Sequence, residues 1–143
     1  MCEGAKDDIE VAYQAIKRCP DALFHASHRL RTDWDFVLSL IKENSETMYF
    51  AHDDLKNNRN FMYEATRVDY RVLFYAKYLI HNDRSFVLKA VQLHEEAITN
   101  VGQNFRRDAE IQQAFYINRK RLVAWKLDKK LGPDLCEKIF AML

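Results

Sequence analysis

Histidine is the side chain best suited to hold a metal or move a proton near neutral pH, so chemistry is sought first among the five histidines. His25 and His28 stand three residues apart on one face of a predicted helix and could give two metal ligands. A defined site needs three or four, and the sequence places no third. His52-Asp53-Asp54 sets carboxylates beside an imidazole, and Glu95-Glu96 lies near His94. Adjacent acids on a helix point to different faces, however, and such clusters ordinarily face solvent. Cys19 precedes Pro20 at a turn, but a nucleophilic thiolate needs an activating base beside it. Gly4, Gly102 and Gly132 are the three glycines, so no glycine loop can cradle a phosphate. No catalytic residue, metal site or cofactor is assigned, and the chain is not expected to be an enzyme. The alternative is an enzyme or metal-binding effector with a cryptic site built on His25, His28 and nearby acids.

Any such residues must be positioned by the elements around them. A chain of 143 residues suits one domain of ordinary size, and 48% apolar content with 13% aromatics is ample for a buried core. A formal net charge of +1 gives no whole-molecule attraction to nucleic acid or an anionic membrane. Cys2, Cys19 and Cys136 are odd in number and irregular in spacing, which argues against a disulfide framework and for a reducing compartment. MCEGAKDDIE lacks the charged and apolar succession of an export signal, and no apolar run is long enough to span a bilayer. The expectation is a soluble, cytoplasmic protein, with any export following a route without a classical signal peptide.

The organising feature is a repeat. DWDFVLSLIKENSETMYFA, from Asp33, returns two units later as DRSFVLKAVQLHEEAITNV, from Asp83. Sliding the chain along itself until Asp8 falls on Asp33 also aligns Asn58, Asp83 and Asp108, then Val11, Phe36, Phe61, Phe86 and Ile111. Further columns hold Leu23, Met48, Leu73 and Ile98; Ala26, Ala51, Ala76 and Val101; and Leu30, Leu55, Ile80 and Phe105. The repeats run over 8–32, 33–57, 58–82 and 83–107, with a degenerate fifth at 108–132. The register also places His94 at the turn equivalent to that of Cys19, three units on, which holds thiol and base apart.

Within each unit the leading Asp or Asn suits a helix N-cap, and Phe36, Leu40 and Ile41 recur at helical spacing. Cys19-Pro20, Asn44-Ser45 and Asp69 interrupt the pattern, and a second apolar set follows at 22, 23, 26 and 30 or their equivalents. Each unit therefore reads as two short helices, with the alanine column allowing close backbone approach where they cross. A coiled coil is excluded because 25 is not a multiple of seven. The predicted fold is all-α: one domain over 1–143, a short right-handed α-solenoid of 25-residue helix-turn-helix repeats with a C-terminal capping helix at 133–143. The first seven residues are expected to fray.

The line D-R-x-F-V-L-x-A-V, read in Asp83-Arg84-Ser85-Phe86-Val87-Leu88-Lys89-Ala90-Val91, and the line A-L-x-Y-A, matched by Val72-Leu73-Phe74-Tyr75-Ala76, resemble a tandem helical repeat family of unknown function. Its units run to about 49 residues as two such halves. The resemblance covers about residues 8 to 107 and implies fold rather than activity. Similar repeats in protists and in effector-like proteins of intracellular bacteria imply an effector-like protein of an intracellular bacterium that interacts with host or cellular proteins, with export into a host cell without a classical signal peptide as the corresponding location. The chain departs from the pattern at Thr99-Asn100-Val101-Gly102, where the aromatic-alanine pair is lost, so the second half of the fourth unit is expected to pack differently.

A second departure bears on binding. Where the resemblance implies a polar residue after the Leu column, the chain has Phe24, Tyr49 and Phe74, beside His25, Phe50 and Tyr75. Successive helical positions diverge by about 100°, so one member of each pair is expected at the margin or exposed. Phe24, Tyr49 and Phe74 either form an aromatic ladder for a protein partner or pack into a thick core. Arg31, Lys56, His81 and Arg106 form a basic edge that either binds an acidic partner or satisfies helix C-termini. Arg119-Lys120-Arg121 through Lys126, Lys129 and Lys130, around Trp125, is the densest basic run, read as a solvated face rather than a nucleic-acid site. The function expected is a non-enzymatic protein-protein interaction module or adaptor, with Phe24, Tyr49, Phe74, Tyr75 and Trp125 as candidate contacts. Self-assembly into a homo-oligomer is a further alternative.

Overall fold

One polar side chain per repeat starts each of the five principal helices. Asp8, Asp33, Asn58, Asp83 and Asp108 each accept hydrogen bonds from first-turn amides, with Asp33 Oδ1 receiving Phe36 N–H at 2.8 Å and Asn58 Oδ1 receiving Phe61 N–H at 3.0 Å. An acceptor at this position satisfies a donor that the helix cannot reach. The computed structural model describes residues 8–131 and residue 141, with side chains through Lys126 and at residue 141. Among these residues all regular structure is helical, as the repeat predicts.

Each of the four units contains three segments rather than two. The first has α1 (Ile9–Arg18), a 3-10 helix η1 (Pro20–His25) and α2 (His28–Thr32). The second has α3 (Trp34–Glu43), η2 (Ser45–Phe50) and α4 (Asp53–Asn57). The third has α5 (Arg59–Val68), η3 (Tyr70–Tyr75) and α6 (Lys77–Asn82), and the fourth α7 (Arg84–Leu93), η4 (Glu95–Thr99) and α8 (Gln103–Arg106). The expected second helix is thus split. The spacing within the columns gives the reason: Leu23 to Ala26 is an interval of three, the period of a 3-10 helix, whereas Ala26 to Leu30 is four, the period of an α-helix. The backbone changes type at the alanine, which is extended at Ala26 (φ −67°, ψ 161°) and Ala51 (φ −63°, ψ 157°).

Successive units stack α on α and 3-10 on 3-10. The inward residues, among them Leu40, Phe61, Met62, Phe86 and Val87, form one continuous core. Buried Thr47 and Thr66 are satisfied locally, their hydroxyls donating to the carbonyls of Asn44 and Met62. Contacts across unit boundaries recur at matching places. Trp34 packs edge-on to Phe61, and at the same position one and two units later Arg59 reaches Asp83 at 3.2 Å and Arg84 reaches Asp108 at 2.7 Å. The Val11 column is buried at Phe36, Phe61, Phe86 and Ile111, but Val11 itself is exposed.

The fifth segment departs from the pattern. Instead of a degenerate hairpin, Ala109–Leu131 is one continuous helix, α9, packed on α7. At the helix-ending position held by Cys19, Asn44, Asp69 and His94 it carries Arg119, a good helix former, so the helix runs on. The neighbouring Asn118 side chain instead donates to the Val91 and Gln92 carbonyls at 2.6 and 2.7 Å, which closes the end of α7. The expected cap at 133–143, apart from Ala141, lies outside the described residues, as do the first seven residues and the side chains of Lys129 and Lys130.

Candidate functional site

In a 3-10 helix residues three apart eclipse, so each such segment presents three distinct sides. Positions 23 and 26 and their equivalents face the core, with Leu23, Met48 and Leu73 fully buried. Positions 22 and 25 are flanking: Thr47 and Val72 are buried, and Phe50 and Tyr75 half-buried. Positions 21 and 24 share the third side with solvent, where Asp21, Glu46 and Arg71 are exposed. On it Phe24, Tyr49 and Phe74 are 60%, 63% and 60% exposed. Because the 3-10 helices stack, this side carries one large aromatic ring per unit for three units. The fourth rung is Thr99, so the row ends there.

A cation lies over each ring. The Arg31 guanidinium is 5.4 Å from the Phe24 centroid, Lys56 Nζ 5.8 Å from Tyr49 and Lys77 Nζ 5.9 Å from Phe74. Such contacts are worth about 0.5–1 kcal/mol at exposed sites. The aromatic row and the basic edge, separate in the sequence, therefore meet along much of their length. The basic residues also satisfy backbone carbonyls at the ends of the 3-10 helices: Lys56 Nζ donates to the Tyr49 carbonyl at 2.7 Å, Arg106 to Thr99 and Val101 at 2.6 and 2.9 Å, and Arg31 to Phe50 at 3.4 Å. His81 breaks the row. It lies against Gly102, where an added Cβ would come within 2.5 Å of its Nδ1, and Lys77 supplies the third cation instead. Lys77 was not singled out by sequence, because its column holds Ser27, His52 and Gly102 and has no shared chemistry.

Between the stacked 3-10 helices lie two shallow grooves. One, of about 550 Å³, is lined by Phe24, Tyr49, Phe50, Arg31 and Lys56; the next, of about 410 Å³, by Tyr70, Arg71, Phe74 and Tyr75. The Tyr75 ring bridges them, 6.1 Å from Tyr49 and 5.4 Å from Phe74. Burial, and secondarily the nearby Glu46 carboxylate, raises the Tyr75 phenol above its ordinary pKa, so it stays a neutral hydrogen-bonding group.

The remaining candidates fall elsewhere. Trp125 is exposed on α9 and lines a different groove, of about 420 Å³, with Leu93, His94 and Arg121. Arg119, Lys120, Arg121 and Lys126 are exposed along the same helix. His25 and His28 are not paired: the His25 ring stands edge-on to Phe24 at 5.5 Å, and the His28 ring packs against His52 at 4.7 Å. Cys19 is an exposed free thiol at the end of α1. No helix among the described residues is long and apolar enough to cross a membrane.

No curated protein and no solved structure matches the chain. One family model does, three times in overlapping register, over residues 8–56, 33–80 and 58–106. The matches begin at Asp8, Asp33 and Asn58, each of them a helix N-cap, and each match starts one stacked unit after the last. Residues 8–106, most of the sequence, are thus covered, and the chain belongs to the family described as Domain of unknown function (DUF4116).

Proposed function

We propose that the chain is a protein-binding module whose ladder of Phe24, Tyr49 and Phe74 takes a partner segment bearing carboxylates and apolar side chains. The observation that carries this reading is three large rings, each about three-fifths exposed and spaced by one repeat, each with a cation above it. Aromatic and Arg side chains dominate binding energy where they are desolvated, and a cation already held over a ring loses little freedom when an anion joins it. A solenoid face suits an extended segment, since equivalent positions recur along it and successive side chains of the partner can use successive rungs.

The test is selection of binders from a random peptide display library, with wild-type protein and a Phe24→Ser, Tyr49→Ser, Phe74→Ser triple variant. Enriched peptides should be rich in Asp and Glu with interspersed apolar residues, and should bind the folded triple variant at least tenfold more weakly, roughly 1.4 kcal/mol. Circular dichroism and a cooperative melt establish that the variant is folded. Enrichment of peptides that bind both proteins equally would move the binding surface off the ladder.

A further inference from the structure

His28 opens α2 in the first unit and His52 caps α4 in the second, and stacking brings their rings to 4.7 Å between centroids. Asp54, two residues past His52, turns back so that its Oδ2 lies 3.2 Å from His52 Nδ1. One ligand atom from each of the three residues lies within 4.8 Å of the other two. Around a tetrahedral zinc ion with bonds of about 2.0–2.1 Å, neighbouring ligand atoms are about 3.3 Å apart. The His52–Asp54 pair already has this separation. His28 is an exposed side chain whose ligand atom, already within 4.8 Å of those of the other two, reaches bonding distance by a rotamer adjustment.

The backbone beneath the trio is held across the unit boundary, where His52 N–H donates to the Arg31 carbonyl at 3.2 Å. His52 Nδ1 would exchange a long 3.3 Å cap bond from the Asp54 amide for the metal, leaving that amide to water at an exposed helix start. The repeat does not impose this cluster. At the next junction the equivalent residues are Asp53, Lys77 and Leu79, which cannot chelate a cation. Two imidazoles and one carboxylate suit zinc rather than the oxygen-seeking calcium or magnesium, and leave a fourth position for water. We propose that His28, His52 and Asp54 form a zinc site that clamps the first repeat to the second.

The experiment is calorimetric titration of the full chain, free of any polyhistidine tag, with zinc chloride, paired with elemental analysis after dialysis. The site variants are His28→Ala and Asp54→Asn; His25→Ala and Cys19→Ser serve as controls. Wild type and both controls should bind one zinc per chain, and each site variant should lose at least about tenfold in affinity. Saturating zinc should raise the thermal midpoint of wild type by about 5 °C and leave the site variants unmoved. Both substituted site residues are exposed, and circular dichroism checks that the variants fold. The proposal is overturned by absence of stoichiometric zinc, by binding that survives either site substitution, or by binding that disappears in either control.

Discussion

Leu23 and Phe24 are neighbours of similar apolar character with opposite fates, one fully buried and the other 60% exposed. The 3-10 backbone decides between them, because a step of about 120° carries position 24 from the core side to the side shared with Asp21. The same rule separates Leu73 from Phe74, and it predicts the cost of truncation. Phe61, with no exposed surface, should lose about 3–5 kcal/mol on replacement by Ala, through lost burial and the cavity left behind. Phe74→Ala should lose about 1 kcal/mol, since little of its surface leaves water on folding. Urea unfolding of the two variants measures the contrast, and equal losses would show that the ladder is part of the core. At this scale the sequence supplied the rows of aromatic and basic residues. That Arg31 and Lys56 lie over Phe24 and Tyr49 follows from how α2 and α4 return across the 3-10 helices, a geometry no single column contains.

The elements owe their boundaries to a few polar side chains. The column of Asp8, Asp33, Asn58, Asp83 and Asp108 was legible as N-caps, and each makes its cap bond. Asp33→Ala should cost about 1 kcal/mol, whereas Asp33→Asn should be nearly neutral, because Asn58 performs the same task in the next unit. Chemical denaturation of both variants checks this, and an Asn variant as weak as the Ala variant would show that charge rather than the hydrogen bond matters. The split of the second helix was written in the intervals of three and four between columns, but a one-face helical reading absorbs both. The continuous α9 was less legible: 108–132 reads as a degenerate fifth repeat, yet Arg119 supplies no cap or break where one is needed.

At the scale of the whole molecule, stability rests on unit-to-unit contacts, because no repeat can bury its inward face alone. The Arg84 contact with Asp108 and Glu110 is the most charged of these junctions, with both distances at 2.7 Å. The hydrogen bond from Arg84, helped by the Ile111 and Glu110 amides and opposed by partial desolvation, holds the Asp108 carboxyl below its ordinary range. A carboxylate with a depressed folded value stabilises fully above its unfolded value, about pH 4, and that contribution is lost as pH falls through the depressed value. Arg84→Met should therefore be less stable than wild type near neutrality, and the gap should close progressively below about pH 4. Urea midpoints at neutral and acid pH test this, and a gap independent of pH would assign the loss to packing. The pair is partly exposed, so its contribution at neutrality is small and salt-dependent.

Sequence alone determined that the chain is helical, that it repeats with a fixed period, where the principal helices begin and which family it belongs to. Those properties are local or periodic: a cap acts on the next three residues, and a core column recurs because each unit must present the same face to its neighbour. Tertiary structure alone decided which aromatic of each pair meets solvent, that the basic edge and the ladder share a surface, and that His28 turns from His25 to His52 and Asp54. The first two depend on the turn of the 3-10 backbone and on how the last helix of each unit folds back across it, and the third on the rotation from one stacked unit to the next, which brings together residues about one repeat apart. Repetition specifies that units stack, whereas the angle at which they do so is set by the packing of all their side chains at once.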